Sequence, residues 1–170
     1  MCLMFDSNNI EHEVNGVNVV APGDDSRSPF YVYRRGAYFD GTDDYLVLQN
    51  LIPYHSHTVW TWIRTESDGV IYSLDYQDYT ELGSDDWLSF FISSGLISVK
   101  YSHGSDVKFE ATSSTQVVDS DWHIVSWCMS YVDQATSVGV SIDNVQESTE
   151  TYENTLFYLV DSLYSSHLAA

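Results

Sequence analysis

The sequence has few basic residues. Six lysines and arginines stand against 25 aspartates and glutamates in 170 residues, which gives a net charge of −19. A chain of this charge repels polyanions and anionic lipid surfaces, so nucleic-acid binding is excluded. No apolar run approaches the roughly 18 residues of a membrane span. The sequence therefore predicts a soluble globular protein without membrane insertion.

Helix-forming residues are also scarce. Alanine occurs six times and lysine twice, whereas valine occurs 18 times, tyrosine 13 times, and serine plus threonine 35 times. Valine, tyrosine and threonine are typical of β-strands. From Pro29 onward, β-prone runs of roughly five to nine residues alternate with turn-forming clusters, as in sandwiches and barrels. We predict one all-β domain over residues 1–170, with an irregular segment at 1–28 and a weakly patterned segment at 147–170.

The two cysteines, Cys2 and Cys128, are too few for a disulfide framework and have no zinc-type spacing. They form either a single bridge or two free, buried thiols, and the sequence leaves both alternatives open. The N-terminal residues lack the pattern of a secretory signal, and no Asn-x-Ser/Thr sequon occurs.

Alternation along two predicted strands assigns side chains to faces. In His57–Arg64, Trp60 and Trp62 share one face. We assign both, together with Trp122 and Trp127, to the core, with at most one of the four partly exposed, because buried tryptophans dominate sandwich cores. The strand from His123 is apolar on both faces, which predicts a central strand covered on both sides.

Several segments resemble, in order, the laminin G-like and pentraxin-like domains of the concanavalin A-like superfamily. Residues 36–48 resemble the early hairpin, 57–64 the tryptophan-bearing strand, 121–125 an aspartate-tryptophan-histidine signature, and 141–144 a tight turn of that family. The resemblance covers roughly residues 30 to 146. It implies an antiparallel jelly-roll β-sandwich. The family's closing strand has no counterpart after Val160, so we expect either that this chain is cut from something longer or that the sheet edge is completed differently, for example by a strand from a neighbouring chain.

One loop-like segment is a candidate metal site. Residues 75–86 carry five carboxylates, and calcium binds clustered oxygens in such loops. The resemblance implies a rim calcium held by an aspartate, for which Asp85 and Asp86 are the first candidates and Asp43 and Asp44 the next. The alternative, a solvated acidic loop, stays open.

Aromatic residues border the same segment. Tyr76, Tyr79 and Trp87 lie beside these carboxylates in the sequence. Exposed aromatic faces near carboxylates are typical of contacts with sugars and proteins. We therefore predict these three as ligand-binding residues.

The resemblance implies a non-catalytic recognition or adhesion module, outside the cell or at its surface, that binds glycan or protein with calcium assistance. One alternative is a structural block of an extracellular fibre or coat, in contact with its own copies or neighbouring domains. A second is a laminarinase-like glycoside hydrolase, but its Glu-x-Asp-x-x-Glu pattern of carboxylates is absent.

Overall fold

The computed structural model describes a β-protein. It covers residues 12–14, 17–20, 30–32, 36–39, 45–49, 56–76, 87–103, 106–153 and 164–169, with side chains at 39, 56–73, 88–102 and 106–153. The strands are β1 (His12–Val14), β2 (Val17–Val20), β3 (Phe30–Val32), β4 (Gly36–Tyr38), β5 (Tyr45–Gln49), β6 (His57–Ile63), β7 (Gly69–Tyr76), β8 (Trp87–Ser93), β9 (Leu96–His103), β10 (Asp106–Gln116), β11 (His123–Val132), β12 (Ala135–Ile142), β13 (Val145–Glu153) and β14 (Tyr164–Ala169).

Two antiparallel sheets form the sandwich. The larger has eight strands in the order β1-β2-β5-β14-β7-β8-β9-β10, and the smaller has four in the order β13-β12-β11-β6. Strands β3 and β4 form a separate antiparallel pair. This architecture confirms the prediction of an all-β antiparallel jelly-roll sandwich.

Tight two-residue turns join three of the hairpins. In each turn both central residues have positive φ, between 51° and 79°, as type I′ turns require. The central pairs are 94–95, 133–134 and 143–144. The Asp68 carboxylate fixes the first turn by accepting hydrogen bonds from the backbone N–H groups of Ser94 (2.7 Å) and Gly95 (2.9 Å).

The core lies between the inner faces of the two sheets. Trp127 is fully buried, and its ring meets that of His57 edge-on at 4.6 Å between centroids. The other large, fully buried side chains come from both sheets and from the segment after β10: Tyr72, Phe90, Phe109, Leu88, Ile97, Val99, Val117 and Val125.

The C-terminal segment supplies a strand that the sequence did not predict. Strand β14 pairs with β5 on one side and with β7 on the other, so Ser166 lies opposite both Leu48 and Leu74. The expectation that no strand follows Val160 is therefore wrong. Backbone hydrogen bonds to β5 and β7 hold β14 in the sheet, although its sequence has little apolar pattern.

The first part of the segment predicted to be weakly patterned, from residue 147 onward, is also a strand. The 143–144 turn directs β13 back along β12, and two side-chain contacts join it to β10. The hydroxyl of Tyr152 donates to the carbonyl of Glu110 (2.6 Å) and accepts from its N–H (3.0 Å). The Glu147 carboxylate accepts hydrogen bonds from the backbone and hydroxyl groups of Ser114 and Thr115 at 2.7–3.2 Å. These bonds lower the pKa of Glu147, chiefly through the Ser114 hydroxyl.

Candidate functional site

Two neighbouring tryptophans project from the outer side of the four-stranded sheet. Along β6, partly buried and exposed residues alternate. Val59 and Ile63 pack against the core, whereas the side chains of Trp60 and Trp62 are 40% and 56% exposed. Indole rings this accessible leave a large apolar surface in water.

A third exposed tryptophan precedes β11. Trp122 is 60% exposed, and Ile124, two residues later, pairs with Trp62 on β6. Alternation along β11 places Ile124 on the outer side of the sheet, and Trp122 lies just before this strand begins. We call this outer surface, with Trp60 and Trp62 on the edge strand β6 and Trp122 at the start of β11, the tryptophan face.

Mostly small polar residues occupy the middle of the tryptophan face, and the apolar residues Ile124 and Val132 lie towards its two ends. Cross-strand pairs form three rows that run from β6 or β11 to β13. The rows are Trp60-Ser126-Ser141-Gln146, Thr58-Cys128-Gly139-Thr149 and Ser130-Ser137-Thr151. None of these positions is charged. Charged residues stand only towards the ends of the same face, at Arg64, Asp143 and Glu153.

The assignment of the tryptophans to the core is right for Trp127 and wrong for Trp60, Trp62 and Trp122. The alternating pattern correctly placed Trp60 and Trp62 together, but both faces of β6 are apolar. The inward face carries the β-branched residues Val59, Thr61 and Ile63, and this composition could have identified it as the buried face.

Strand β11 is central in its sheet but covered on one face only. Val125, Trp127 and Met129 are buried, while Cys128 and Ser130 on the opposite face are exposed. The prediction of cover on both sides is wrong for this reason. Cys128 carries a free, exposed thiol, so the expectation of burial fails for it, and Cys2 lies outside the described residues.

At the end of the tryptophan face that carries Trp122, His123 joins a loop to a turn. Its Nδ1 lies 2.9 Å from Asp143 Oδ2, and its Nε2 lies 3.1 Å from Asp119 Oδ1. Asp143 also accepts the backbone N–H of Ile124 at 3.0 Å, and Asp119 accepts that of Asp121 at 2.9 Å. These contacts hold the segment that presents Trp122.

Both ring nitrogens of His123 donate hydrogen bonds only when the imidazole is protonated. The carboxylates, Asp143 foremost, raise the pKa of His123 above 6.5. The His123 ring, in turn, is the main cause of the lowered pKa of Asp143. The pKa of Asp119 is lowered by the Asp121 N–H first and by His123 second.

These shifts predict a pH window for the contribution of His123 to stability. The contribution of the charged His123 ring is fully present below pH 6.5 and declines as the pH rises through the raised pKa of His123. The contribution of the Asp143 and Asp119 carboxylates is present above pH 3.8 and declines as the pH falls through their lowered pKa values. We expect His123→Gln to lower the free energy of unfolding most between those values and less in alkaline buffer. Urea titrations across pH measure this.

The control is Asp106→Asn, which removes an exposed carboxylate that contacts Lys108 in the other sheet. An equal loss from His123→Gln at every pH would contradict the proposed role of the charged ring.

All seven residues predicted to bind ligand or metal lie where no side chain is described. Tyr76 ends β7 and Trp87 begins β8, and these strands pair with each other. Their side chains, and Tyr79, Asp85, Asp86, Asp43 and Asp44, lie outside the described residues. All seven stay predictions.

In the part of the chain that is described, no group of three or more histidines, cysteines and carboxylates is arranged to hold a metal ion. Several carboxylates there bind N–H or hydroxyl donors instead. Examples are Asp68 at the first hairpin turn, Glu147 against β10, and Glu66, which accepts the Ser120 hydroxyl at 2.8 Å. A search of the described residues for a long, apolar helix of membrane-spanning length finds none.

The two packed antiparallel sheets define a concanavalin A-like sandwich. Neither protein-family models nor curated protein sequences match this chain. Among solved structures, the LG4-5 domains of the mouse laminin alpha1 chain are similar at 17% identity and a TM-score of 0.53, covering 73% of this chain and 31% of that one.

Two further solved structures are similar to this chain. A native heptameric SAP-like pentraxin from Limulus polyphemus has 16% identity and a TM-score of 0.52, covering 89% of this chain and 63% of its own. A Bacillus licheniformis β-glucanase has 11% identity and a TM-score of 0.45, and the match covers 99% of this chain and 74% of the glucanase chain. The chain thus spans less than two thirds of the laminin and pentraxin chains. The likeness confirms, at the level of fold, the resemblance to laminin G-like and pentraxin-like domains.

Proposed function

We propose that this chain is a non-catalytic recognition or adhesion module, acting outside the cell or at its surface, that binds a glycan or protein ligand through the tryptophan face. The observation that carries the proposal is the exposure of Trp60, Trp62 and Trp122 at 40%, 56% and 60%. A concanavalin A-like sandwich is consistent with a lectin-like module.

Exposed tryptophans at one edge of a sheet favour binding for an energetic reason. An exposed apolar side chain gains free energy when a ligand removes its surface from water. Tryptophan is enriched among the residues that dominate binding energy, because a large rigid ring loses little conformational entropy on contact. The core already has Trp127, so the three exposed indoles are not needed to fill it.

Array binding with a matched variant tests the proposal. Labelled wild-type protein and the double variant Trp60→Ala/Trp62→Ala are applied to a glycan array and to an array of extracellular matrix proteins. We expect the ligands retained by the wild type to be lost by the double variant, which keeps the wild-type circular dichroism spectrum. Equal retention of both proteins would contradict the use of the tryptophan face.

The same proposal includes calcium assistance at Asp85, Asp86, Asp43 or Asp44. Its support is the density of carboxylates in residues 75–86 and near Asp43. An ion bound by the folded state alone raises the melting temperature by mass action. We expect millimolar calcium to raise Tm relative to chelator, and alanine substitution of Asp85 and Asp86 to abolish the rise. An unchanged Tm would contradict calcium binding.

A glycoside hydrolase is the less favoured function, because the sequence lacks the paired carboxylates of the laminarinase-type strand. We expect no release of reducing sugar from β-glucans, and release by the purified protein would contradict the non-catalytic assignment.

A further inference from the structure

We propose that the tryptophan face binds a neutral glycan, with sugar rings stacked on Trp60 and Trp62 and sugar hydroxyls bound by the serines beside them. This inference rests on the proposed function and names the ligand class of the same surface. Three features of the surface support it: the spacing of the indoles, the hydroxyl row next to them, and the absence of charged residues from the three rows.

The indoles form an aromatic platform along β6. Side chains at i and i+2 of a strand lie on one face, roughly 6.5–7 Å apart. Trp60 and Trp62 therefore stand side by side with 40% and 56% of their surfaces open to solvent. A pyranose ring has an apolar face of C–H groups that packs on an aromatic ring, and two adjacent indoles accommodate consecutive sugars of one chain.

Hydroxyl groups lie directly beside this platform. Ser126 is the cross-strand partner of Trp60, and Ser141 is the next residue along the same row. Among the described residues, no side-chain hydrogen bond involves either hydroxyl, whereas Ser137 and Thr151 bond to each other at 3.0 Å. A serine hydroxyl both donates and accepts, as sugar hydroxyls do, so the two groups are chemically matched.

The charge distribution selects a neutral ligand. The chain carries −19, yet the three rows of the tryptophan face contain no charged residue. The overall field repels an anionic polysaccharide and a second copy of the chain alike. A basic protein ligand would gain more electrostatic free energy by binding the acidic surfaces on the rest of the molecule than by binding the uncharged rows. An uncharged chain of hydroxyl-bearing rings meets no such penalty at this face.

The shape of the face also distinguishes a glycan from a protein partner. Beyond the tryptophans the three rows contain serine, threonine, cysteine, glycine and one glutamine, with Gly139 in the middle row, while Ile124 and Val132 lie towards the two ends of β11. Stable protein interfaces bury a core of large apolar side chains, and the middle row of this surface provides none. A glycan needs one edge of rings and a field of hydroxyls, which matches the arrangement.

Affinity electrophoresis and tryptophan fluorescence test the inference. Native gels contain mannan, xylan or mixed-linkage β-glucan as neutral probes, or polygalacturonate as the anionic one. We expect at least one neutral polysaccharide to retard the wild type and to shift its tryptophan emission to shorter wavelength. Trp60→Ala and Trp62→Ala should each weaken the binding by about tenfold or more. Trp62→Tyr, which keeps an aromatic ring, should retain most of it.

Two further variants complete the design. Ser126→Ala/Ser141→Ala should weaken binding while the indoles stay in place. Val107→Ala, which truncates a 50% exposed apolar residue on β10 in the other sheet, should bind as the wild type does. Circular dichroism of each variant confirms the fold.

The outcomes separate this inference from the proposed function. Retardation by polygalacturonate alone, lost in Trp60→Ala, would overturn the neutral class and leave the tryptophan face as a recognition surface. Dimers in light scattering that disappear in Trp62→Ala, without retardation by any polysaccharide, would overturn it in favour of a second copy. Neutral-glycan binding that neither tryptophan substitution changes would contradict both proposals, and no response to any probe would overturn the glycan assignment.

Discussion

Trp127→Ala is expected to lower the free energy of unfolding by about 3–5 kcal/mol, the range for removal of a large buried aromatic side chain. Trp127 is fully buried on β11, between partner strands β6 and β12, and its ring contacts His57. The substitution leaves a cavity where the two sheets meet. Urea denaturation monitored by circular dichroism measures the change.

Trp62→Ala is the matched control, since it removes the same side chain from the adjacent strand at a position that is 56% exposed. We expect a loss of about 0.5 kcal/mol or less, as for surface substitutions. Trp127→Phe keeps part of the buried volume and should lie between the two. Equal losses from the two alanine variants would contradict the assigned burial.

Gly139→Val is the second substitution with a large expected effect, a loss of about 1–3 kcal/mol from overpacking. A Cβ at Gly139 would lie 3.0 Å from the backbone oxygen of Ser148 and 3.2 Å from Thr149 Oγ1. The backbone of β13 must move to relieve this contact, and valine's preference for strands does not offset it. Thermal and urea unfolding both report the loss.

The control for Gly139→Val is Ser141→Val, two residues along on the same face of β12. Ser141 already has a Cβ, so we expect a much smaller change. Similar losses at the two positions would show that the close approach of β13 to Gly139 is not the cause.

Local patterns predicted much of the fold. Strands β5 (Tyr45–Gln49) and β11 (His123–Val132) are of the predictable kind, because each is a continuous run of β-prone residues beside turn-forming ones. Strands β13 and β14 were missed. Their residues are mostly polar. Backbone pairing with β5 and β7, which are distant in sequence, holds β14, whereas β13 pairs with β12 across the 143–144 turn and contacts β10 through side chains. A local apolar pattern does not reveal these contacts.

The candidate site was less predictable for a related reason. Alternation showed that Trp60 and Trp62 share a face, but which face is outside depends on how the sheets pack. The predicted contact residues fall within residues 76–87, whose side chains are not described, whereas the described residues show exposed tryptophans on a sheet. The contacts of His123 join Asp119 and Asp143, which come together only when β11 and β12 pair.

Indole NMR signals provide the most direct measurement of ligand contact at the tryptophan face. The chain has five tryptophans, and Trp60, Trp62 and Trp127 can be assigned by substitution in ¹⁵N-labelled protein. On titration with mannan, xylan and mixed-linkage β-glucan in turn, we expect one probe to move the Trp60 and Trp62 signals while that of buried Trp127 stays fixed. The proposal that the tryptophan face binds a neutral glycan would be contradicted by saturation with a bound polysaccharide that leaves the Trp60 and Trp62 signals unmoved. It would also be contradicted if none of the three polysaccharides changed these signals.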